Sequence, residues 1–348
     1  MEAVYVIEPG CYVRREAGAL CVVKQGSVID RVPAEGLKRL ILVGNLSLTG
    51  AVLDFLIQRR IETVFMTPTG RFRARLGIDE HRHVALRRAQ YLRLNEPDFA
   101  ARTAGMIVAG KMRNMIRLLM LRGRQYDDAD LRTAAAGLKS MQLRLDKTSD
   151  LEQIRGLEGA ATRIYFQRFG RLIRNDRFAF NGRNRRPPLD PINALLSFVY
   201  TLLTNEVLSA IKACGLDPYM GALHEIAYGR PSLACDLVEE YRVFMGDRLV
   251  LGLINRNALT PDDFIYRDVA QQAYRDEAEM RSKRPVEMRP PVMRAFVTAY
   301  EQMMKSKIKY RDGEPRSTYR GVILRQVRSF ADYLHAPEGG YTPFVWDV

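Results

Sequence analysis

Several residue types and motifs that identify common protein classes are scarce or missing in this chain. It has 4 cysteines among 348 residues, at positions 11, 21, 214 and 235, and none stands in a CxxC spacing. We therefore interpret them as free thiols rather than as zinc ligands or disulfides. The sequence also contains no P-loop, no GxGxxG and no GxSxG motif, so it gives no support to a nucleotide-binding protein or a serine hydrolase.

Long apolar segments are also missing from the sequence. No run of apolar residues is long enough to span a bilayer, and residues 1–10 do not have the pattern of a secretory signal. There is no internal repeat and no heptad pattern. From these absences we predict a protein of the cytoplasm that has no membrane partner.

Positive charge is the most informative part of the composition. The chain has 54 Lys and Arg against 40 Asp and Glu, which gives a formal net charge of +14. A globular protein with this excess usually binds a polyanion, most often a nucleic acid. The hydrophobic content of 47% allows a sizeable core, and a length of 348 residues is typical of two domains.

The hydrophobic pattern divides the chain into two regions. Residues 3–78 show short apolar runs with a period of two, broken by turn residues, and one short helix near 49–60. From about residue 84 the apolar residues recur with a helical period. We therefore predict an α+β protein with a small β-rich N-terminal domain that contains one short helix, and a larger all-α C-terminal domain. The assigned boundaries are a β-rich domain at 1–80, a linker at 81–95 and an α-helical domain at 96–340.

Two segments fall outside these patterns. The linker begins with polar residues that include His81 and His83, and no acid or thiol cluster nearby completes a metal site, so we interpret it as solvated. The tail at 341–346 is aromatic and apolar, and it is expected to pack on a neighbouring element or on a partner subunit.

The stretch Asp217–Arg242 contains residues that can bind a metal ion. His224 is followed by a turn that contains Gly229 and Pro231, and a new helix is predicted to begin at Ser232 as its N-cap. On that helix Asp236 and Glu239 are three residues apart, so they share a face. An imidazole and carboxylates brought together at a turn form a mixed nitrogen and oxygen ligand set.

A second segment supplies a further acid. Glu158 lies between small residues in the sequence at 156–161, which lets another helix, a metal ion or a phosphate backbone come close. Glu158, His224 and Glu239 could then form a three-residue metal site with Asp236 beside it. Such a set suits Mg²⁺ or Mn²⁺ rather than a metal that prefers thiolates.

The residues alone leave this assignment open. A lone buried histidine is more often structural than a ligand, and Glu158 can equally be a hydrogen-bonded core residue. On that interpretation the chain is a non-catalytic DNA-binding scaffold that acts through its basic surface.

Several basic segments are candidates for contact with DNA. The loop at 181–188 is either a solvated connector or an arm that reaches phosphates, and the basic cluster near Tyr310 is either a nucleic-acid surface or a solvated helix end. The long helix around residue 115 is predicted to have a basic side that includes Lys111 and Arg113. The candidate nucleic-acid contacts outside this helix are Arg183, Arg185, Arg186, Lys305, Lys307 and Lys309.

An ordered series of motifs resembles one known family. The motifs are GLEGAA at 156–161, RRPPLDPINALLS at 185–197, YTLLTNE at 200–206, GLDP at 215–218, His224, and GRPSL at 229–233 leading to DLVEEYR at 236–242. This series is similar to the CRISPR-associated spacer-acquisition integrase and endonuclease family. The resemblance implies that Glu158, His224 and Glu239 hold the metal ion, and that Asp236 is a further acid near it. The separation of His224 from Glu239, 239 − 224 = 15 positions, fits the majority pattern of that family.

The resemblance also implies a reaction and an assembly. A DNA 3′-hydroxyl attacks a phosphodiester in the CRISPR repeat, so that protospacer DNA is inserted by transesterification, and the same site can hydrolyse DNA. Proteins of this family form a homodimer through the β-rich domain, and a dimer of a small ferredoxin-like CRISPR-associated partner bridges two such dimers into a heterohexamer. A stand-alone nuclease of branched or damaged DNA that uses the same site is the alternative, and it differs in substrate only.

Overall fold

The computed structural model describes residues 3–67, 72–77, 83–184, 187–266, 286–310 and 315–346. Packing contacts divide the chain into two compact units, residues 1–80 and 81–348. A strand-rich region is followed by a mostly helical one, which confirms the predicted α+β class.

The first unit contains two four-stranded sheets and one helix. In one sheet the order is β1-β5-β7-β8, with parallel pairing of β1, β5 and β7 and an antiparallel β8. In the other the order is β4-β3-β2-β6, with antiparallel pairing except between β2 and β6. The elements are β1 (Ala3–Val6), β2 (Tyr12–Glu16), β3 (Ala19–Lys24), β4 (Ser27–Pro33), β5 (Arg39–Val43), β6 (Ser47–Leu48), α1 (Gly50–Gln58), β7 (Glu62–Met66) and β8 (Phe72–Leu76).

The sequence pattern of these strands follows their position in the sheets. The inner strands β3 and β5 are continuous apolar runs, because both of their faces are covered, whereas the edge strand β4 is largely exposed. The short helix α1 follows an extended Thr49 and buries Val52, Phe55 and Leu56, which lie on one face at helical spacing. These side chains join the strands in one hydrophobic core.

The second unit is a bundle of helices with two small two-stranded antiparallel sheets. These sheets are a minor difference from the all-α prediction. The elements are α2 (Val84–Leu94), α3 (Pro97–Gln125), α4 (Ala129–Leu145), α5 (Leu151–Phe169), α6 (Pro191–Ala213), α7 (Ser232–Tyr241), a π-helix (Arg242–Asp247), α8 (Arg248–Asn255), β9 (Phe264–Tyr266), β10 (Val286–Met288), α9 (Pro290–Lys305), β11 (Lys307–Ile308), β12 (Ser317–Thr318) and α10 (Tyr319–His335).

The segment predicted as a linker at 81–95 is instead mostly helix α2. Leu86, Gln90 and Leu94 are buried at successive turns of this helix. The Gln90 side chain donates hydrogen bonds to the carbonyls of Asp217 and Met220, both at 2.8 Å. The linker prediction was wrong because most side chains of this segment are polar and only one face of the helix is buried. His83 is exposed just before the helix begins.

Helix α6 is the most apolar helix of the second unit. It begins at Pro191 after Asp190, whose carboxylate accepts a hydrogen bond from the Asn193 amide at 2.8 Å. By length and composition α6 could cross a bilayer, which differs from our expectation that no segment could. However, 78% of the most apolar part of this helix is buried inside the protein. It therefore has the burial of a core helix.

The aromatic tail packs on its own chain. The Tyr341 hydroxyl and the Phe344 amide each donate to the buried carboxylate of Glu240 at 2.6 Å. The Asn114 side chain donates to the Phe344 carbonyl at 3.0 Å and accepts from the Trp346 amide at 3.1 Å. Buried polar groups on α3 and α7 thus fix the tail to the second unit.

We predict that Glu240→Ala destabilises the second unit by about 2–6 kcal/mol, because two buried donors then lose their acceptor at about 1–3 kcal/mol each. Glu338→Ala removes an exposed carboxylate and serves as the matched control. Denaturant unfolding measures the difference, and limited proteolysis should cut the tail of the Glu240 variant first. Equal stability of the two variants would contradict the proposed anchoring.

Candidate active site

Glu158 lies on α5, whose first turn is fixed by Asp150 through a hydrogen bond from the Gln153 amide at 2.8 Å. Its side chain is 25% exposed. The carboxylate accepts a hydrogen bond from the Thr162 hydroxyl at 3.0 Å and forms an ion pair with Lys111 of α3. Glu158 therefore has one side open to solvent and the other held by a buried ammonium.

Glu239 lies on α7 and is almost fully buried, with a side chain that is 3% exposed. Its Oε2 is 2.7 Å from Lys111 Nζ, and its Oε1 is 2.8 Å from the Arg242 guanidinium. Lys111 thus joins two carboxylates that come from different helices, since α3 packs against both α5 and α7. Although Oε2 is close to the ammonium, no described residue donates a well-directed hydrogen bond to it.

The charge on Glu239 is stabilised by its neighbours. Burial alone would raise the pKa of this carboxyl, but Arg242 and Lys111 outweigh burial and lower the pKa to about 2. His224 has a smaller electrostatic effect, which also lowers the pKa of Glu239. Glu239 is therefore an anion at neutral pH.

Asp236 orients His224. It is fully buried and accepts hydrogen bonds from the backbone amides of Ala222, Leu223 and His224 at 2.6, 2.9 and 2.9 Å. Its Oδ1 also lies 2.7 Å from Nδ1 of the His224 ring. With Nδ1 engaged, Nε2 is the ring nitrogen available to a ligand.

Asp236 was predicted as a further acid near the metal ion, and its contacts in the structure are with His224 and the loop that carries it. Three backbone amides and one imidazole occupy both carboxylate oxygens, so Asp236 acts on His224 and on the loop that carries it. Gly221 allows the approach, because a Cβ at this position would lie 2.5 Å from Asp236 Oδ2 and 2.8 Å from the Leu233 amide nitrogen. Ser232 begins α7 as predicted but does not cap it, since its hydroxyl donates to the carbonyl of Tyr219.

A buried network lies behind Glu239. Arg242, which neutralises Glu239, also stacks over the Tyr200 ring with its guanidinium carbon 4.9 Å from the centroid. Tyr200 and Tyr165 both donate hydrogen bonds to Asp247 at the end of the π-helix. Burial raises the pKa of Asp247 to about 6, although the two hydroxyls act in the opposite direction. This network holds Arg242 in place beside the carboxylate.

The structure brings the predicted residues together only in part. Glu158 and Glu239 meet through Lys111, and His224 and Asp236 meet directly. Within the described ranges, no three His, Cys, Asp or Glu side chains lie close enough to enclose an ion as they stand. Sequence reasoning missed Lys111 and Arg242 as parts of the site.

The predicted DNA contacts differ in their surroundings in the structure. Arg183 donates to Asn193 Oδ1 at 2.8 Å and to Ser197 Oγ at 3.1 Å, so it fixes its own loop to α6. Arg185 and Arg186 lie outside the described residues. Lys305, Lys307 and Lys309 are exposed at and beyond the end of α9.

The described residues include donor groups of the types that a hard divalent cation accepts, although they do not enclose an ion as they stand. Two carboxylates already converge on one positive charge, a buried carboxylate oxygen lacks a well-directed hydrogen bond, and an imidazole is fixed through Nδ1 so that Nε2 is available. Carboxylate oxygens are the donors that Mg²⁺ and Mn²⁺ prefer. An outer carboxylate that fixes a ligating imidazole is a common feature of metal sites.

Comparison with known proteins identifies the family of this chain. A family model described as CRISPR associated protein Cas1 matches residues 4–283. The CRISPR-associated endonuclease Cas1 1 of Chlorobaculum tepidum is 34% identical to this chain over 352 residues, which cover 99% of this chain and 98% of that protein.

Two solved structures share the fold. A casposase bound to integration product has a TM-score of 0.82 at 21% identity, with 100% of this chain and 95% of that chain covered. A Cas6-RT-Cas1–Cas2 complex contains a longer chain of which this chain spans 36%, with a TM-score of 0.81 at 22% identity and 99% of this chain covered. On the strength of the family match and the full-length relative, the chain belongs to the Cas1 family of CRISPR-associated proteins.

Proposed function

We propose that this protein is a divalent-metal-dependent DNA integrase and endonuclease of CRISPR adaptation. It inserts protospacer DNA into the repeat array by transesterification from a 3′-hydroxyl, and it cleaves DNA when water is the nucleophile. The proposal agrees with the endonuclease name of the Chlorobaculum relative and with the integration product named for the casposase.

The observation that carries the proposal is the convergence of Glu158 and Glu239 on the single ammonium of Lys111. Two carboxylates from separate helices that share one positive charge form a cation site before any ion binds. Lys111 and Glu239 are almost fully buried, and opposite charges attract strongly where little water is present. The same position therefore favours a divalent ion. The exposed side of Glu158 lets a substrate phosphate approach.

Glu158, His224 and Glu239 are the residues that would hold Mg²⁺ or Mn²⁺. A bound ion would supply Lewis-acid polarisation of the phosphoryl group and would lower the pKa of the attacking hydroxyl. Asp236 keeps the His224 ring in one orientation and one tautomer, and Arg242 keeps Glu239 ionised and fixed. These residues therefore build a site whose charge and geometry are set before DNA arrives.

DNA and protein partners complete the proposal. The net charge of +14 favours the DNA backbone and makes binding decrease steeply with salt. The exposed Lys305, Lys307 and Lys309 are candidate phosphate contacts. Arg185 and Arg186 are candidates on the sequence alone, whereas Arg183 is engaged by Asn193 and Ser197. We further propose a cytoplasmic homodimer joined through the β-rich unit, bridged into a heterohexamer by a ferredoxin-like partner, in line with the Cas1–Cas2 complex named above.

Glu158→Gln and His224→Ala should keep the fold and DNA binding but lower metal-dependent nicking and strand transfer by at least about 10–100-fold, since residues that only orient a metal ligand already change affinity or activity by that factor. Mn²⁺ should raise the melting temperature of the wild-type protein and fail to do so in both variants. Glu152→Gln, an exposed acid on the same helix, is the control and should behave as wild type. Full activity in chelator, or in either variant, would end the proposal.

Lys111→Met should destabilise the metal-free protein by about 3–5 kcal/mol, because removing one partner leaves buried like charges uncompensated. A divalent ion should then raise the melting temperature of the variant by more than it raises that of the wild type. Arg113→Met, an exposed change on the same helix, is the control. A smaller metal-induced shift in Lys111→Met than in wild type would show that the ammonium and the ion do not share a site.

The pH dependence of stability should report on Glu239. Its folded pKa of about 2 lies below the ordinary 4.5, so its stabilisation is present above pH 4.5 and is lost as the pH falls toward 2. The stability difference between wild type and Glu239→Gln should therefore be constant near neutrality and shrink below pH 4.5. Urea unfolding at a series of pH values measures it, and a difference that stays constant down to pH 2.5 would contradict the ion-pair geometry.

A further inference from the structure

Helix α2 holds the chain segment that leads into His224. Gln90 on α2 is completely buried, with an exposed fraction of 0%. Its side-chain nitrogen donates hydrogen bonds to the carbonyls of Asp217 and Met220, and its side-chain oxygen accepts one from the Asp217 amide, each at 2.8 Å. A glutamine amide has two N–H donors and one acceptor oxygen, and here all three engage the backbone of one loop. This pairing fixes the loop to α2.

Neighbouring residues add to this attachment. The Tyr91 hydroxyl donates to the Asp217 carboxylate at 2.6 Å. Gly215 has a φ of +80°, and a Cβ at this position would overlap the ring of His83, which directly precedes α2. Contacts with the start and the middle of α2 therefore account for the glycine and the aspartate of the GLDP motif at 215–218, which the metal site alone leaves unexplained.

Helix α7 holds the same loop through other groups. The amides of residues 222–224 donate to Asp236, and the Leu233 amide donates to the Pro218 carbonyl at 3.0 Å. The loop is therefore held by α2 as well as by α7, which is the helix that carries Glu239. The position of the loop relative to Glu239 thus depends on both helices.

The path from Gln90 to His224 leaves little slack. Gln90 holds the carbonyl of Met220, and only residues 221–223 separate Met220 from His224. The first of them, Gly221, packs so closely on α7 that a Cβ there would lie 2.8 Å from the backbone nitrogen of the second residue of that helix. The amides of the other two are bound by the α7 carboxylate. A displacement of Met220 is therefore passed along the backbone to the imidazole.

We propose that Gln90 is a positioning residue for the metal site, and that it sets the place of the His224 imidazole relative to Glu239 through the backbone of the loop. This inference rests on the proposed function, and it adds a residue from a helix that carries no proposed metal ligand. Metal sites require ligand distances within about 0.2 Å of the preferred values, so a small shift of one ligand weakens binding. In this role Gln90 acts through backbone groups and not by contact with the ion.

A purely structural role for Gln90 is the competing explanation. Buried polar groups are normally hydrogen-bonded, and loss of such bonds lowers stability wherever it occurs. A structural role predicts a lower melting temperature together with an unchanged metal affinity of the folded protein. The positioning role predicts weaker metal binding at temperatures where the protein remains fully folded.

The test compares Gln90→Met with Asn175→Leu in the full chain. Asn175 is also buried, and its side chain donates to the Ile254 carbonyl and accepts from the Arg177 amide, both at 3.1 Å. Each substitution replaces a buried amide by an apolar side chain of similar size, so both should lower the melting temperature. Only Gln90→Met should raise the dissociation constant of Mn²⁺, by about tenfold, as loss of a group that orients a metal ligand does. Electron paramagnetic resonance of free Mn²⁺ measures the affinity.

Hydrogen exchange tests the same role without a metal ion. The amides of residues 222–224 should exchange faster in Gln90→Met than in wild type, while Asn175→Leu leaves their exchange unchanged. Tyr91→Phe is a second variant that should fold readily, because Tyr91 is 48% exposed. It removes one hydrogen bond to Asp217, and it should change metal affinity and exchange in the same direction as Gln90→Met but by less.

The outcomes separate this inference from the proposed function. Mn²⁺ binding and nicking by the wild type, with equal Mn²⁺ affinity in wild type, Gln90→Met and Tyr91→Phe, would overturn the positioning role alone. Absence of Mn²⁺ binding by the wild type would remove the proposed function. Faster exchange at 222–224 in the Gln90 variant would then retain its hold on His224, and unchanged exchange would overturn it. An equal loss of Mn²⁺ affinity in Asn175→Leu would show a general effect of stability and would also overturn the inference.

Discussion

The ammonium of Lys111 between Glu158 and Glu239 is the interaction on which the site depends. Two carboxylates from α5 and α7 repel each other at short range, and the repulsion is stronger because Glu239 is shielded from water. A cation supplied by α3 turns the repulsion into attraction and lets three helices pack closely at one point. The helical unit can therefore fold with these two acids side by side, and Glu239 remains charged at neutral pH.

Around this centre the charged residues have separate tasks. Both carboxylate oxygens of Asp236 accept hydrogen bonds from backbone amides or contact the imidazole, so Asp236 fixes the position of His224 and of its loop. Arg242 holds Glu239 from the opposite side to Lys111, and its own position is set by stacking on Tyr200. Each acid that faces the site is thus backed by a group that fixes it, which is the arrangement expected where geometry must be set in advance of substrate.

Sequence patterns predicted most of the architecture and some of the site. The β-rich and helical regions follow from periodicities of two and about 3.6, and the acids of α7 follow from their spacing. The role of Lys111 was hidden, because a lysine among arginines indicates an exposed face. Its spacing contained the missing signal, since Ile107, Lys111 and Met115 are all buried on one stripe of α3. The partners of Asp236 could not be predicted, because residue types do not reveal hydrogen bonds to backbone amides.

The six-residue π-helix after Glu239 constrains the chain in length as well as in composition. A π-turn holds one more residue than an α-turn, and each residue of an α-helix rotates the next side chain by about 100°. Loss of a single residue here would rewind the segment and carry Asp247 away from both tyrosines, even if every remaining side chain were kept. Gly246 adds a steric limit, because a Cβ there would lie 3.0 Å from the Tyr200 ring. Homologous chains that share this site should consequently tolerate substitutions in the segment far more readily than insertions or deletions.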